Sequence, residues 1–344
     1  MPVLRIKFLF ASAILACTSI TLSATAASFD CDRAATAVEK TICADPALSA
    51  LDEQLGVQYG ELLKLAKDRA AVSRMQHEWI AADSNLPDNR STCEEKNEGR
   101  EACLAEVYRK RLDLLAALKP LLQQPDQPAE EGWRFDLHKV STRYDFSIRM
   151  LNKCDADKKD DSVTCEEAGV VYISKKGQAT PLQVIPMNNI YLSVYKAAPV
   201  SPNQPAVYGE QGTILVGDFN FDGKEDIAIR NGNLSSYNGP SYDVLLKSSW
   251  QDGFVHSEPM TNLIFASLGF FQIDKQHQRL ITNEKSGCCY HVSTIYQLVR
   301  DIPVPVSRKI DDGLVEGKYN YRYEEHWINS KWKRVKSQRV KRQQ

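Results

Sequence analysis

The sequence predicts a multidomain α plus β protein, with a small disulfide-stapled three-helix domain followed by an all-β domain. Three observations carry this. Apolar residues recur at steps of three and four between residues 45 and 118, the helical period, and at steps of two beyond Trp133, the strand period. A proline-containing stretch without periodicity separates the two regions. Eight of the nine cysteines fall beyond residue 26, an even set that in an oxidising compartment forms disulfides rather than thiolate metal sites. The 344 residues exceed one usual domain, and 43 basic against 44 acidic side chains leave no excess of positive charge for nucleic acid.

Residues 1–26 read as a signal peptide: Arg5 and Lys7, an apolar run over 8–20, then Ala24-Thr25-Ala26 as a small-residue cleavage site. The run is too short to span a membrane, so no transmembrane segment is expected and the chain is read as periplasmic or secreted. Ile14-Leu15-Ala16-Cys17 is an imperfect lipoprotein signal, which leaves anchoring through Cys17 as the lesser alternative.

The helical domain is placed at 27–119. Asp45 is an N-cap and Pro46 a first helical residue for a helix carrying Leu48, Leu51, Leu55, Tyr59 and Leu62. A second helix carries Val72, Met75, Gln76 and Trp79; a polar segment with Pro87 and Gly99 ends it. A third runs through Leu104, Val107, Tyr108, Arg111, Leu115 and Leu118. So small a core needs staples, and Cys31, Cys43, Cys93 and Cys103 are the candidates. Residues 120–132, with Pro120, Pro125 and Pro128, form the linker.

The all-β domain occupies 133–344. Tyr144, Phe146, Ile148 and Met150 alternate with polar residues; 170–174, 190–194, 242–246, 270–273 and 291–299 are further strands. Cys154 and Cys165 flank a charged loop and are expected to close it. Residues 319–335 read as a hairpin turning at Asn329-Ser330, running into a basic, solvated tail.

Ser28-Phe29-Asp30-Cys31, residues 38–46, Leu51-Asp52, the Gln76 and Trp79 pair, Cys93, Cys103 and residues 108–111 together resemble the N-terminal domain of the lysozyme-inhibitor LprI-like family over about residues 28–118. The resemblance implies a helical, disulfide-stapled, exported module, and more weakly an activity against lysozyme.

Asp218-Phe219-Asn220-Phe221-Asp222-Gly223-Lys224-Glu225-Asp226 has the spacing of a calcium loop. Asp218, Asn220 and Asp222 present oxygens on alternate residues, Gly223 permits the turn, Lys224 offers its carbonyl, and Asp226 closes the shell directly or through water. Ile229 stands where a helical EF-hand needs glutamate, so the loop joins two buried strands, and calcium pins a scaffold. A metal-free Asx- and Gly-rich turn is the alternative.

This loop, residues 237–244, Phe254 and Lys285-Ser286-Gly287-Cys288-Cys289-Tyr290-His291 are together similar to periplasmic calcium-binding β proteins of partly propeller-like architecture. Those proteins serve as immunity partners of secreted peptidoglycan hydrolases. Ser286-Gly287-Cys288-Cys289-Tyr290 also resembles the S-G-x-x-Y loop of C-type lysozyme inhibitors. A glycosidase cleft presents two carboxylates. Ser286 and Lys285 can donate to them, Gly287 allows close backbone approach, and Tyr290 supplies a rigid anchor. Cys288 and Cys289 can bond to each other or each to a different partner; a bond between neighbours has Cα atoms about 3.8 Å apart, below the usual disulfide range.

The six histidines are scattered, and no H-E-x-x-H, G-x-S-x-G or Gly-rich phosphate loop occurs, so no enzyme is expected. The expectation is a periplasmic inhibitor of a lysozyme-type peptidoglycan hydrolase. The alternative is a non-catalytic, calcium-stabilised envelope scaffold that binds cell-wall glycan or another envelope protein.

Overall fold

The computed structural model describes residues 27–81, 89–96, 98–124, 133–137, 140–154, 162–195, 212–314 and 318–341. Residues 1–26, with the signal segment and Cys17, and residues 125–132 of the expected linker lie outside the described residues.

Four helices, not three, precede the sheets: α1 (Ala37–Ala44), α2 (Pro46–Leu65), α3 (Arg69–Ile80) and α4 (Arg100–Gln123). The added helix, α1, is held by its ends. Thr36 and Glu39 form a reciprocal capping box, and the Glu94 carboxylate accepts from Ala37 N and Val38 N at 2.9 and 3.3 Å. Eight residues are too few for periodicity to reveal it. Asp45 caps α2, its Oδ1 accepting from Ala47 N at 2.7 Å, with Pro46 at the first helical position. α4 continues through Pro120 to Gln123, because Leu118, Leu121 and Leu122 are buried there and Tyr172 Oη donates to Leu121 O at 3.1 Å. Burial thus outweighs the lost amide donor of Pro120.

The strands form three antiparallel sheets, each a meander: β1–β4 (134–195), β5–β8 (214–256) and β9–β14 (272–341). No sheet closes into a propeller ring among the described residues. One further helix, α5 (Glu258–Phe265), interrupts the region expected to be all β, and Met260 and Ile264 seat it on Tyr242 and Val244. Phe270 and Phe271 lie in the core ahead of β9 (Gln272–Asp274) rather than inside a strand.

The layers follow from the two-residue period of the strands. On β3 (Ser162–Lys175), Val170 and Tyr172 pack with the helices, while Val171 and Ile173 pack with the second sheet. On β6 (Asp226–Ser235), Ile227 and Ile229 face the first sheet and Ala228 faces the core shared with α5, Phe270 and Phe271. Helices, first sheet, second sheet and third sheet are therefore stacked in series. One apolar cluster holds both the helical segment and part of the first sheet.

The eight cysteines among the described residues pair with their sequence neighbours: Cys31–Cys43, Cys93–Cys103, Cys154–Cys165 and Cys288–Cys289. The basic C-terminal segment is solvent-exposed, as expected, but as far as Lys341 it is a strand rather than a loose end, β14 (Lys331–Lys341) pairing along β13 (Tyr319–Ile328). Two of its cations are engaged across the strands, Arg339 lying 5.2 Å from the Tyr319 ring centre. Arg334 lies over the Tyr323 ring at 3.6 Å and shares the buried Glu325 carboxylate with Arg308.

Candidate functional site

β10 (Arg279–Ser286) and β11 (Tyr290–Val299) pair with Lys285 opposite His291 and Ser286 opposite Tyr290. Gly287, Cys288 and Cys289 are thereby left as the turn. Gly287 has φ +62°, a left-handed conformation that suits glycine. Cys288 and Cys289 are bonded to each other with Cα atoms 3.7 Å apart, which resolves the open pairing. A closed ring of two residues fixes the turn covalently.

Neighbouring segments hold this tip from two sides. Gly287 N donates to Tyr237 Oη at 2.6 Å, and Lys285 Nζ sits 4.5 Å from the centre of the Tyr237 ring. On the other side Gly313 N donates to Cys289 O at 2.7 Å; a Cβ at Gly313 would approach that oxygen to 2.9 Å, so the contact requires glycine. Ser286, Gly287 and Cys288 are exposed, while Lys285 and Tyr290 are half-buried. Lys285 thus spends its ammonium partly on Tyr237, a difference from its expected role as a donor to a partner. Tyr237 and Gly313 were missed as site residues. The signal for Tyr237 is an aromatic residue inside a turn, held at φ +58° and 56% exposed.

The loop between β5 (Ile214–Gly217) and β6 carries the other candidate residues. Asp218 accepts from Asp222 N and Gly223 N, each at 2.9 Å, and Asp222 Oδ1 accepts from Lys224 N at 2.9 Å. Asn220 Oδ1 accepts from Asp222 N at 3.3 Å. These bonds draw the Asp218, Asn220 and Asp222 oxygens toward one side of the turn, with Gly223 at φ +81°. Asp226 differs: it is fully buried, and its two oxygens accept from Phe219 N and Lys247 N at 2.7 and 2.8 Å. Burial pushes its carboxyl up to about 7, against the pull of those two amides. Among the described residues no three His, Cys, Asp or Glu side chains converge as a metal-holding group. The loop's oxygens come instead from Asp218, Asp222, the Asn220 amide and backbone carbonyls.

This loop ties the sheets together. Ser141 Oγ, ahead of β2 (Tyr144–Met150), donates to Glu225 at 2.6 Å, and Asn220 Nδ2 donates to Asp301 at 3.1 Å, in the turn that follows β11. That turn and the Cys288-Cys289 tip are opposite ends of the ten-residue β11, about 33 Å apart at strand rise. The loop therefore acts on the tip only through the stiffness of the third sheet.

In the helical segment, the residues that carry the first resemblance converge in two sets. Asp52, buried, accepts from Ser28 Oγ at 2.6 Å and Tyr108 Oη at 2.7 Å; burial, reinforced by Asp52, raises the Tyr108 hydroxyl. Arg111 donates to Gln76 and lies 5.5 Å from the Trp79 ring centre.

No family model matches the chain, and no curated protein matches it. A solved structure described as that of a Xanthomonas type IV secretion system related protein is similar over 61% of this chain and 96% of its own, with 21% identity and a TM-score of 0.48. Among the described residues no helix is long and apolar enough to cross a membrane.

Proposed function

We propose that this protein is a non-catalytic inhibitor, of immunity type, of a lysozyme-type peptidoglycan hydrolase in the cell envelope, and that the Cys288-Cys289 tip is the part that enters the enzyme's cleft. The observation that carries the proposal is the tip itself, the β10–β11 turn closed by a covalent ring and held by Tyr237 and Gly313, with Ser286 exposed beside it. A preordered loop loses little entropy on binding, so its few donors convert into affinity. Ser286 and the Lys285 edge address cleft carboxylates, and Tyr290 packs against the rim. Four disulfides fit an oxidising location outside the cytoplasm.

Calcium belongs to the same proposal. Asp218, Asn220, Asp222 and the Lys224 carbonyl would hold the ion, with Asp226 behind them, and its charge would oppose the burial that raises the Asp226 carboxyl. Its role is to lock the joint between the three sheets. The LprI-like character of residues 27–119 and the partly propeller-like kinship of the β region are further parts of this reading.

The test is inhibition of peptidoglycan lysis by wild type and by the Ser286→Ala/Tyr290→Ala double variant. Loss of inhibition with unchanged melting supports the tip. Equal inhibition by the folded double variant removes the tip from the account, and retention on peptidoglycan without any inhibition moves it to the envelope scaffold.

A further inference from the structure

β14 closes one end of the six-stranded third sheet, and among the described residues no strand pairs with its outer side. One bond sets the alternation of its backbone. Gly313 N donates to Cys289 O, and in an antiparallel ladder residues that bond toward one neighbour alternate with residues that bond toward the other. Carried through the unshifted registers of residues 307–312 on β12 (Ile302–Asp312) and 320–324 on β13, this turns Arg322 and Glu324 toward Gln338 and Lys336. Ser337 and Arg339 are left with N–H and C=O directed outward. Such an edge is a template for a further strand.

The cations of β14 divide by face, because directly paired residues share one. Arg334 and Arg339 lie over the rings of Tyr323 and Tyr319. Lys331, Lys333 and Lys336 stand on the other face, opposite Ile328, His326 and Glu324, and none of the three forms an ion pair or lies over a ring among the described residues. The extra residue of a bulge, Val335, is what brings Lys336 to the face of Lys333. A groove of about 540 Å³ opens along that face, so nothing covers it. Its acids are accounted for: Asp311 holds Arg322 at 3.1 Å, Glu324 lies 3.4 Å from His326 and between Lys309 and Lys336, and Glu284 is four strands from β14. Lys285 and His291 extend the face further, and β14 itself contains no acid. These charges decide the partner. A second copy would set lysine against lysine across the new ladder, which is how lysine protects an edge from its own kind. An extended acidic segment meets no such barrier: its backbone pairs with the outward groups, and acids at every second residue all fall on the lysine face.

We propose that the outer edge of β14 binds an extended acidic segment of a partner protein as an added strand, with acidic side chains at alternate positions meeting Lys331, Lys333 and Lys336. The inference does not rest on the hydrolase-inhibitor reading, and either can fail without the other.

The test is fluorescence anisotropy of a labelled octapeptide of alternating glutamate and threonine, titrated with the disulfide-bonded full chain. The comparisons are the same peptide N-methylated at every threonine, a lysine–threonine counterpart, and inorganic polyphosphate. The glutamate peptide should bind saturably and one to one, and the lysine peptide should not bind. Its threonines stand opposite outward residues such as Ser337, so N-methylation removes the donors that reach β14 and keeps every charge; binding should weaken about tenfold or more. Lys331→Glu/Lys333→Glu changes two exposed positions that do not pair with Glu324, so it should weaken binding by about the same factor at an unchanged melting temperature. Should that variant fail to fold, the N-methylated peptide still decides. Absence of binding by the glutamate peptide, equal binding of its N-methylated form, or full binding by the folded double variant would each overturn the proposal. Equal binding of the N-methylated form together with tight binding of polyphosphate would assign the lysines to an anionic polymer instead.

Discussion

Replacing Arg111 by methionine should cost about 3 to 5 kcal/mol, because this guanidinium joins the helices to the first sheet. It is 3% exposed and donates three hydrogen bonds: Nε to Gln76 at 3.0 Å, Nη2 to Met75 O at 3.1 Å, and Nη1 to Asn188 on β4 at 2.6 Å. Burial lowers its pKa to about 9, which still leaves it charged at pH 7. Methionine fills much of the volume and relieves the desolvation of the charge. It also strands two acceptors, Gln76 Oε1 and Asn188 Oδ1, at roughly 1 to 3 kcal/mol each, while Met75 O keeps a bond from Asn188 Nδ2 at 2.8 Å, and the partial relief sets the net near the middle of that sum. At roughly 2 °C per kcal/mol, fitting for a chain of this size, the melting temperature falls by about 6 to 10 °C. Denaturant unfolding followed by circular dichroism gives the energy directly. Asn188→Ala and the double variant complete a cycle with a coupling above about 0.5 kcal/mol. A loss under about 1 kcal/mol, or simple additivity with Asn188→Ala, would refute the reasoning.

Other consequences are open to measurement. Tyr237→Phe removes the hydroxyl that accepts from Gly287 N but keeps the ring under Lys285, so stability should drop by less than about 1 kcal/mol while inhibition weakens severalfold; equal potency in a lysis titration would contradict the anchoring role. His256, beside Arg74, Asp243 and Thr261, is held by burial at about 4 against an unfolded value of 6.5, so the unfolded chain binds the extra proton. Wild type should therefore lose stability relative to His256→Gln as pH falls from about 6.5 to 4, by up to about 3 kcal/mol, read from denaturant midpoints at each pH; a pH-independent difference would refute it. EGTA should remove about 2.7 kcal/mol of stability from protein kept in calcium at a hundredfold its Kd, seen as a fall in melting temperature, and an unmoved transition would return residues 218–226 to a plain Asx turn.

How far the sequence foretold the structure depends on the length of the signal. Asp45-Pro46 and the long apolar rows of α2 and α4 were legible because capping and periodicity act within the segment. The β5–β6 loop between buried strands was legible for the same reason, and so was the hairpin turning at Asn329 and Ser330, both at positive φ. α1 was not: its Thr36–Glu39 capping box is local, but eight residues carry too little periodicity to mark a helix, and the rest of its N-terminal cap comes from Glu94, far along the chain. α5 was hidden by Pro259 and by strands on both sides. The helical reach past Pro120 and the run of β14 beyond residue 335 are tertiary effects, set by buried leucines in one case and helped by Arg339 over the Tyr319 ring in the other. At the site, the sequence marked the residues of the tip but not what holds it: Tyr237 and Gly313 meet the turn only in the folded chain.

The most direct test of the account is the rate of peptidoglycan lysis by a panel of lysozyme-type enzymes in calcium, with wild type and with Ser286→Ala/Tyr290→Ala added at equal concentration. The account predicts that wild type stops at least one enzyme of the panel at stoichiometric amounts and that the folded double variant does so at least tenfold less well. Full lysis by every enzyme in the presence of wild type would contradict it.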